Sequence, residues 1–341
     1  MTTSGAAPGR PTARRRLADV AELAGVSAQT VSNVLNGRTG FSEATRSRVM
    51  AAVEQLRFQP DRAARHLRTR RSGQLGLHLP AVQLSPRNGF SISFLRAVIQ
   101  AAEESGFQVV VFTQPIETAF ADGGPDTAGV DAFVLFNLGG HDPRPAALAA
   151  AGVPFAAFGR LDPGVPQAGV DIDNVAAMRL VVDHLVGRGR RRFGYLGFAE
   201  PEHWNGERLM GTRMALADHG LALPDRHILT SSFAELRTAL SPWLAAADRP
   251  EAVVCASDAL AQLVYDKMSR IGLRPGRELA VTGFDALPDS VELDPPLTSV
   301  ALPVAEAAAA VVRLAIDQLD GRPAPPQGQI LPTTLAVGRS S

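Results

Sequence analysis

The chain has 341 residues, more than one hydrophobic core usually organises, so we expect at least two domains. Its composition, 45% hydrophobic and 20% charged, excludes a disordered or fibrous protein. The formal charge is zero but unevenly divided, since residues 1–72 hold 13 arginines and five acidic residues, while the rest holds 21 basic and 29 acidic residues. This division predicts a small anion-binding head on an acidic body.

Cysteine content and hydropathy indicate the compartment. Cys255 is the only cysteine, so an internal disulfide framework is excluded. Residues 1–16 are rich in small residues and arginine with no apolar stretch behind them, which predicts a disordered arm rather than a secretory signal. No later stretch approaches the roughly 18 continuous apolar residues of a membrane-spanning helix. We therefore expect a cytoplasmic protein with no membrane partner.

Residues 17–60 are predicted to form a small helical domain. A first short helix ends at Gly25, Ser27 is placed to cap a second, and a third begins near Ser42. Two short helices around a tight glycine turn are typical of a helix-turn-helix, whose second helix can enter the major groove of DNA.

The outward-facing positions of the second helix carry polar or small residues. Gln and Asn are the residue types that pair with adenine edges, and Ser and Thr can bind phosphate. The alternative is an ordinary three-helix domain with a solvated polar face. The predicted DNA contacts of this helix are Ser27, Ala28, Gln29, Thr30, Ser32, Asn33 and Asn36.

Residues 61–73 are predicted to form a hinge helix and linker, because 61–68 has helical composition but is too short to be stable alone. From residue 74 strands alternate with helices, which predicts parallel sheets covered on both faces. Strands are predicted at 74–79, 108–112, 132–136, 155–158, 193–197, 227–229, 252–255 and 279–282, and helices at 91–105, 175–186, 207–219, 233–246, 259–271 and 304–319.

This α/β core, 74–341, is expected to form two Rossmann-like subdomains with a ligand crevice at the carboxyl ends of the strands. The expected N-subdomain spans about 74–161 plus 290–320. The expected C-subdomain spans about 162–289 plus 321–341.

Head and body together resemble the lactose-repressor family of bacterial regulators, with its periplasmic-binding-protein-like core. The resemblance implies a hinge that folds on DNA, with Arg62, Ala64 and Leu67 as contacts and Leu67 as a wedge in the minor groove. The alternative is that Leu67 packs on the body. One departure is Asn33, where many relatives carry Arg. The resemblance rests on residues 17–68 and on the body motifs 170–174, 208–211, 255–258, 281–285 and 295–300.

The resemblance also implies effector-binding residues. Arg208, at the start of a helix, is expected to clamp the ligand, because a planar guanidinium bridges two hydroxyls. Asp285 is expected to accept sugar hydroxyls, although it could cap a turn, and Asp258 could equally N-cap its helix. Trp204, in a preceding loop, is expected to cover the ligand. The remaining candidates, each of which could equally be a core or loop residue, are Asn88, Phe94, Asn137, Arg160, Asp171 and Phe233.

The favoured function is a ligand-responsive, sequence-specific transcriptional regulator, a homodimer that represses carbohydrate genes from a near-palindromic operator and takes a sugar effector. No cofactor or metal is expected. An enzyme is the second class, disfavoured because HExxH, GxSxG and paired cysteine ligands are missing from the sequence. An exported solute-binding protein is the third, disfavoured by the basic head and the missing signal.

Overall fold

The computed structural model describes residues 16–35, 40–56, 58, 71–84, 88–120, 129–161, 169–199, 203–323, 325 and 328–341. The chain divides into two compact units, Met1–Arg70 and Arg71–Ser341. The predicted arm before Arg16 and the predicted hinge helix lie outside the described residues.

The first unit contains the three predicted helices, α1 (Leu17–Ala24), α2 (Ala28–Leu35) and α3 (Glu43–Gln55). Gly25 closes α1 with φ 63°, a conformation that costs glycine little. Ser27 Oγ accepts from the backbone N–H of Thr30 at 3.1 Å, which caps α2. The helices share one apolar core whose buried members are Val20, Ala21, Ala24, Val31, Val34, Val49, Ala52 and Phe58.

The second unit contains two six-stranded sheets. The strands of the first sheet are β1 (Gln74–His78), β2 (Gln108–Phe112), β3 (Ala132–Leu135), β4 (Phe155–Phe158), β5 (Gly169–Ile172) and β11 (Gln329–Leu331). Every pairing among them is parallel, in the spatial order β11-β5-β4-β3-β1-β2. Alternate residues of β3 enter opposite cores: Val134 packs on one face and Phe133 on the other, as expected for a parallel sheet covered on both sides. The helices that accompany this sheet are α4 (Gly89–Glu104), α5 (Ile116–Ala119), α6 (Pro143–Ala150) and α12 (Val304–Leu319), with a 3-10 turn at Ala81–Leu84.

The strands of the second sheet are β6 (Phe193–Phe198), β7 (Ile228–Ser231), β8 (Ala252–Cys255), β9 (Ala280–Asp285), β10 (Thr298–Ala301) and β12 (Thr334–Ala336). Their spatial order is β12-β10-β9-β8-β6-β7. All pairings are parallel except that of β12 with β10. The helices of this half are α7 (Asn174–Gly187), α8 (His203–Asp218), α9 (Phe233–Ala245), α10 (Asp258–Arg270) and α11 (Pro288–Val291), with a 3-10 turn at Asp225–His227.

The described chain passes between the two halves after β5, after β10 and after β11. The predicted subdomain boundaries are therefore wrong in three places: β5 and β11 belong to the first sheet, and β10 belongs to the second. These strands have three or four residues each, and what assigns them to a sheet is pairing with distant strands rather than local periodicity. The three crossovers leave from β5, β10 and β11, each of which lies at or next to an edge of its sheet, so the halves are connected at one side, which is the geometry of a hinged cleft.

Candidate functional site

A cavity of about 500 Å³ lies between the two halves of the second unit. Its walls include the residues that end or follow strands of both sheets, where parallel α/β folds place their ligands. Eight of the ten predicted ligand residues line it. They are Asn88, Asn137, Arg160, Asp171, Trp204, Arg208, Phe233 and Asp285.

Arg208 lies in the second turn of α8, since this helix begins at His203 rather than at the predicted residue 207. Its guanidinium donates from Nε to Asn174 Oδ1 at 2.9 Å and from Nη1 to the carbonyl of Ala256 at 2.6 Å. Within the described part of the chain Nη2 makes no hydrogen bond, which leaves that donor to a ligand. Burial lowers the pKa of Arg208 to about 10, and Asp285 is the foremost group acting in the opposite direction, so Arg208 is charged at neutral pH.

Aromatic rings hold the Arg208 side chain in place. The guanidinium carbon lies 3.4 Å from the ring centroid of Phe284 and 4.5 Å from that of Trp204. Trp204 lies in the first turn of α8, which begins at His203, and not in the predicted loop. Its ring also makes an edge contact with Phe198, which lines the same wall.

Asp285 ends β9 and has a φ of 111°, a backbone conformation that residues other than glycine rarely adopt. Burial raises the pKa of Asp285 well above its ordinary value, while the guanidinium of Arg208 lowers it. Strained residues of this kind persist only where the surroundings fix them, and they cluster at functional sites.

Asp258 fixes the segment that follows Asp285. Its carboxylate accepts the backbone N–H of Leu287 at 2.8 Å and the hydroxyls of Ser290 and Ser299. Burial raises the pKa of Asp258, and these hydrogen bonds act against that shift.

The expectation that Asp258 contacts the ligand is not met, because Asp258 is fully buried and does not line the cavity. The alternative expectation, an N-cap, is also wrong. Ser257 caps α10 by accepting the backbone N–H of Leu260.

A chain of polar contacts crosses the cleft. Arg160, which follows β4 of the first sheet, forms a salt bridge of 2.7 Å with Glu207 on α8. The second oxygen of Glu207 accepts from Asn174 Nδ2 at 3.0 Å, and Asn174 in turn accepts from Arg208. The ion pair of Arg160 with Glu207 thus connects the two halves at the wall of the cavity.

Asp171 lies in β5, on the wall of the same cavity. Burial raises its pKa to about 6, although the backbone N–H of Ile172 donates to its carboxylate at 2.8 Å. The negative charge of Glu207 raises the pKa further, and Arg160 and Arg208 lower it. Asp171 therefore titrates closer to neutrality than an ordinary aspartate.

Phe94 was predicted on the cavity wall but lies in the core. It is fully buried, with its ring centroid 4.9 Å from that of Phe136 and 5.2 Å from that of Phe158. Phe90, one helical turn earlier, lines the cavity in its place. Both residues point to the same side of α4, but only the first turn of the helix borders the cavity, and Phe94 lies one turn further from it.

Several lining residues were missed by sequence reasoning. Asn174 ends the motif at 170–174, and Glu207 immediately precedes Arg208, so their position beside recognised motifs was an available signal. Ser257 likewise lies inside the recognised motif at 255–258. No comparable signal marks the remaining polar or aromatic ones, which are Gln83, Phe90, Ser91, Phe158, Phe198 and His203.

In the first unit, the predicted DNA-contact residues that can be described lie in or just before α2. Val31 and Val34 turn inwards, so the opposite side of the helix is exposed. Gln29 Nε2 donates to Asn33 Oδ1 at 3.2 Å, which aligns two amide side chains one turn apart. Ser27, Ala28 and Gln29 are exposed, and Thr30, Ser32 and Asn33 are partly exposed. Asn36, Arg62, Ala64 and Leu67 lie outside the described residues.

Neither a metal site nor a membrane-spanning helix is found in the part of the chain that the structure describes. Among the described residues no group of three or more His, Cys, Asp or Glu side chains could hold a metal ion. No helix in the described part of the chain is long and apolar enough to cross a membrane.

An exposed polar helix in a three-helix unit, followed in the chain by a two-sheet core with a cleft, defines a helix-turn-helix regulator with a periplasmic-binding-protein-like core. Residues 16–61 match the bacterial regulatory proteins of the lacI family, and residues 182–341 match the periplasmic binding protein-like domain.

Known transcriptional regulators are similar to this protein over nearly the whole chain. The HTH-type transcriptional regulator CelR of Thermobifida fusca is 33% identical over 340 residues, which cover 96% of this chain and 99% of CelR. The solved transcriptional regulator CelR-cellobiose complex superposes with a TM-score of 0.69 at 30% identity, covering 97% of this chain and 100% of that one. The Lac repressor dimer bound to operator and the anti-inducer ONPF gives 0.74 at 25% identity, covering 96% and 98%. The chain therefore belongs to the lacI family of bacterial transcriptional regulators.

Proposed function

We propose that this regulator is a cytoplasmic homodimeric repressor whose affinity for operator DNA is altered by a neutral sugar of disaccharide size. The observation that carries the proposal is the cavity itself, in which polar groups from both halves converge beside aromatic faces. Cavities that bind small molecules have this character, with a few placed polar groups on a mainly apolar wall.

The charges of the cavity favour a neutral ligand. Two guanidinium groups, of Arg160 and Arg208, face three carboxylates, of Asp171, Glu207 and Asp285. If the raised pKa of Asp285 leaves that group protonated, the charges balance; if Asp285 is ionised, they are net negative. In neither case does the wall attract a sugar phosphate or a sugar acid. Alternating donors and acceptors instead suit hydroxyl groups.

Size and shape favour more than one sugar ring. The volume of about 500 Å³ lies within the usual range for drug-sized ligands and exceeds the need of a single pyranose. Phe90, Phe158 and Trp204 offer apolar faces to the ring carbons. In agreement with this, the similar CelR structure is described as a cellobiose complex.

The DNA side of the proposal assigns contacts with the major groove to the exposed side of α2. Ser27, Ala28, Gln29, Thr30, Ser32, Asn33 and Asn36 are its proposed contacts, and Arg62, Ala64 and Leu67 are those of the hinge. The similar Lac repressor was solved as a dimer on its operator, which supports a homodimer here. We infer no catalytic activity, because the relatives named above are transcriptional regulators.

The proposed mechanism uses the hinged cleft. A sugar bound between the halves can change operator affinity only to the extent that it binds the open and closed arrangements with different affinity. The cross-cleft contact of Arg160 with Glu207 is one element that closure would tighten and opening would break.

Calorimetric titration of the full chain tests the ligand class. Cellobiose or maltose should bind at least tenfold more tightly than glucose, and glucose 6-phosphate should not bind measurably. Recovery of the sugar unchanged after prolonged incubation should exclude turnover. Preferential binding of the phosphate would overturn the charge argument, and release of monosaccharide would indicate an enzyme.

A further inference from the structure

Arg144, outside the cavity, has a guanidinium that is almost completely withdrawn from water. Only 1% of the residue is exposed, and it is the largest fully buried side chain among those described. Removing a guanidinium from water is expensive unless each of its donors finds a partner. The burial of Arg144 at the start of α6 is therefore expected only if its hydrogen bonds serve a structural or functional purpose.

The contacts of Arg144 hold both ends of the loop at residues 136–142. Nε and Nη2 grip the carboxylate of Asp142, with Nη2 to Oδ2 at 2.7 Å. Nη2 also donates to the backbone carbonyls of Phe136 and Asn137, both at 3.0 Å. Asp142 in addition caps α6 by accepting the backbone N–H of Arg144. The guanidinium of Arg144 thus joins the first residues of the loop 136–142 to its last residue.

The loop held in this way contains a strained cavity residue. Asn137 has a φ of 51°, the left-handed region, and its carbonyl is one of the two that Arg144 holds. Its side-chain Nδ2 lies 3.3 Å from both Gln83 Oε1 and Ser91 Oγ. All three of these residues line the cavity, so they form one polar cluster on the wall of the first half.

We propose that Arg144, paired with Asp142, is a positioning residue that fixes the left-handed backbone of Asn137 and so aims its amide, with Gln83 and Ser91, at the ligand. The inference rests on the proposed function only in taking a sugar as the ligand. The two adjacent nitrogens of the guanidinium carry the argument, since Nε and Nη2 grip Asp142 together while Nη2 also reaches the carbonyls of Phe136 and Asn137, whereas an ammonium group offers a single nitrogen.

The alternative is that the pair only stabilises the start of α6. A double replacement, Asp142→Ser with Arg144→Met, separates the two roles. Serine retains an N-cap, and replacing both members of a buried pair by a neutral set is often tolerated, so the chain should fold. Arg144→Lys keeps the charge beside Asp142 but loses the two adjacent nitrogens. The matched control is Arg213→Met with Asp225→Ser, which removes an exposed pair between α8 and the 3-10 turn at Asp225–His227.

The ligand-free test is hydrogen exchange of the full-length protein. In the double replacement and in Arg144→Lys, amides of residues 136–142 should exchange at least tenfold faster, while those of the second sheet and of the control variant stay unchanged. Unchanged exchange in this loop overturns the proposal. So does full rescue by lysine, because charge compensation alone would then suffice.

The ligand test is a double-mutant cycle with cellobiose and maltose as probes. The double replacement and Asn137→Ala should each weaken binding about tenfold, and their combination should be no worse than Asn137→Ala. Independent, multiplicative losses overturn the inference. If neither sugar binds the unaltered protein, the proposed ligand class fails, and the exchange experiment still decides the role of Arg144.

Discussion

Replacing Arg208 with methionine should separate effector binding from DNA binding. Methionine preserves much of the side-chain length and keeps the apolar contact with Phe284 and Trp204, but it removes the charge and every donor. Asn174 and the carbonyl of Ala256 lose their donors, and Asp285 loses its nearest counter-charge.

The magnitude follows from these contacts. Removing one partner of a buried charge pair costs about 3–5 kcal/mol when the other stays charged. Because the pKa of Asp285 is already raised, Asp285 can escape by protonation, so we expect a loss of stability of about 2–3 kcal/mol. For effector binding the expected loss is about 2–4 kcal/mol, or from roughly 30-fold to several hundred-fold in affinity.

The assay is calorimetric titration with the tightest-binding disaccharide, run beside fluorescence anisotropy of operator DNA without sugar. Operator affinity should stay within about twofold, since Arg208 lies in the core unit and the DNA contacts are proposed in the head. Arg213→Met, which removes an exposed ion pair from the same helix, is the control and should change neither quantity. Wild-type sugar affinity in Arg208→Met would refute the role given to this residue.

Four further predictions concern stability, assembly and the head. Asp171→Asn should raise the melting temperature at pH 7 but not near pH 4. Because the pKa of Asp171 in the folded protein is raised to about 6, its contribution to stability is fully present below its ordinary pKa and is lost as the pH rises through about 6, where the buried carboxyl ionises and asparagine does not. Equal shifts at both pH values would contradict this. Gly283→Ala should destabilise the core by about 1–3 kcal/mol in urea unfolding, because the added Cβ would meet Asp258 Oδ1 at 2.2 Å, and an unchanged midpoint would show that the carboxylate can yield. Deleting residues 1–70 should abolish operator binding and leave sugar binding intact, whereas retained operator binding would remove the head from the account. Light scattering at micromolar concentration should give a dimer, and a stable monomer or tetramer would contradict it.

The position of the site could be predicted from the sequence because parallel strands bring their carboxyl ends to one edge. Asn137, Arg160 and Asp285 each end or follow a strand, and each lines the cavity. The order of elements along the chain predicted the edge of the sheet where the ligand binds, and the resemblance to the lactose-repressor family supplied the individual residues. The start of the second helix of the head could also be predicted, because Gly25 ends the first helix and Ser27 caps the second.

The choice between neighbouring residues could not be predicted. Phe90 and Phe94 share one side of α4, and only their distance from the end of the helix that borders the cavity makes the first a wall residue and the second a core residue. Asp258 differs from a ligand-binding aspartate only in which donors surround it, and Ser290 and Ser299 come from distant parts of the chain.

Short strands were the other limit. β5, β10, β11 and β12 have three or four residues that mix polar with apolar side chains, and none of them was predicted, whereas the equally short but continuously apolar β4 and β8 were. Pairing with distant neighbours stabilises them, and this pairing determines where the chain crosses between the halves.

The central claim is that a neutral disaccharide in the cleft changes operator affinity. The most direct measurement is fluorescence anisotropy of a duplex selected by the protein from a random library, titrated with cellobiose, maltose, glucose and glucose 6-phosphate. We predict that a disaccharide shifts the operator affinity of the unaltered protein at least tenfold and that Arg208→Met does not respond at the same concentration. A response to the phosphate alone, or an equal response by Arg208→Met, would contradict the account.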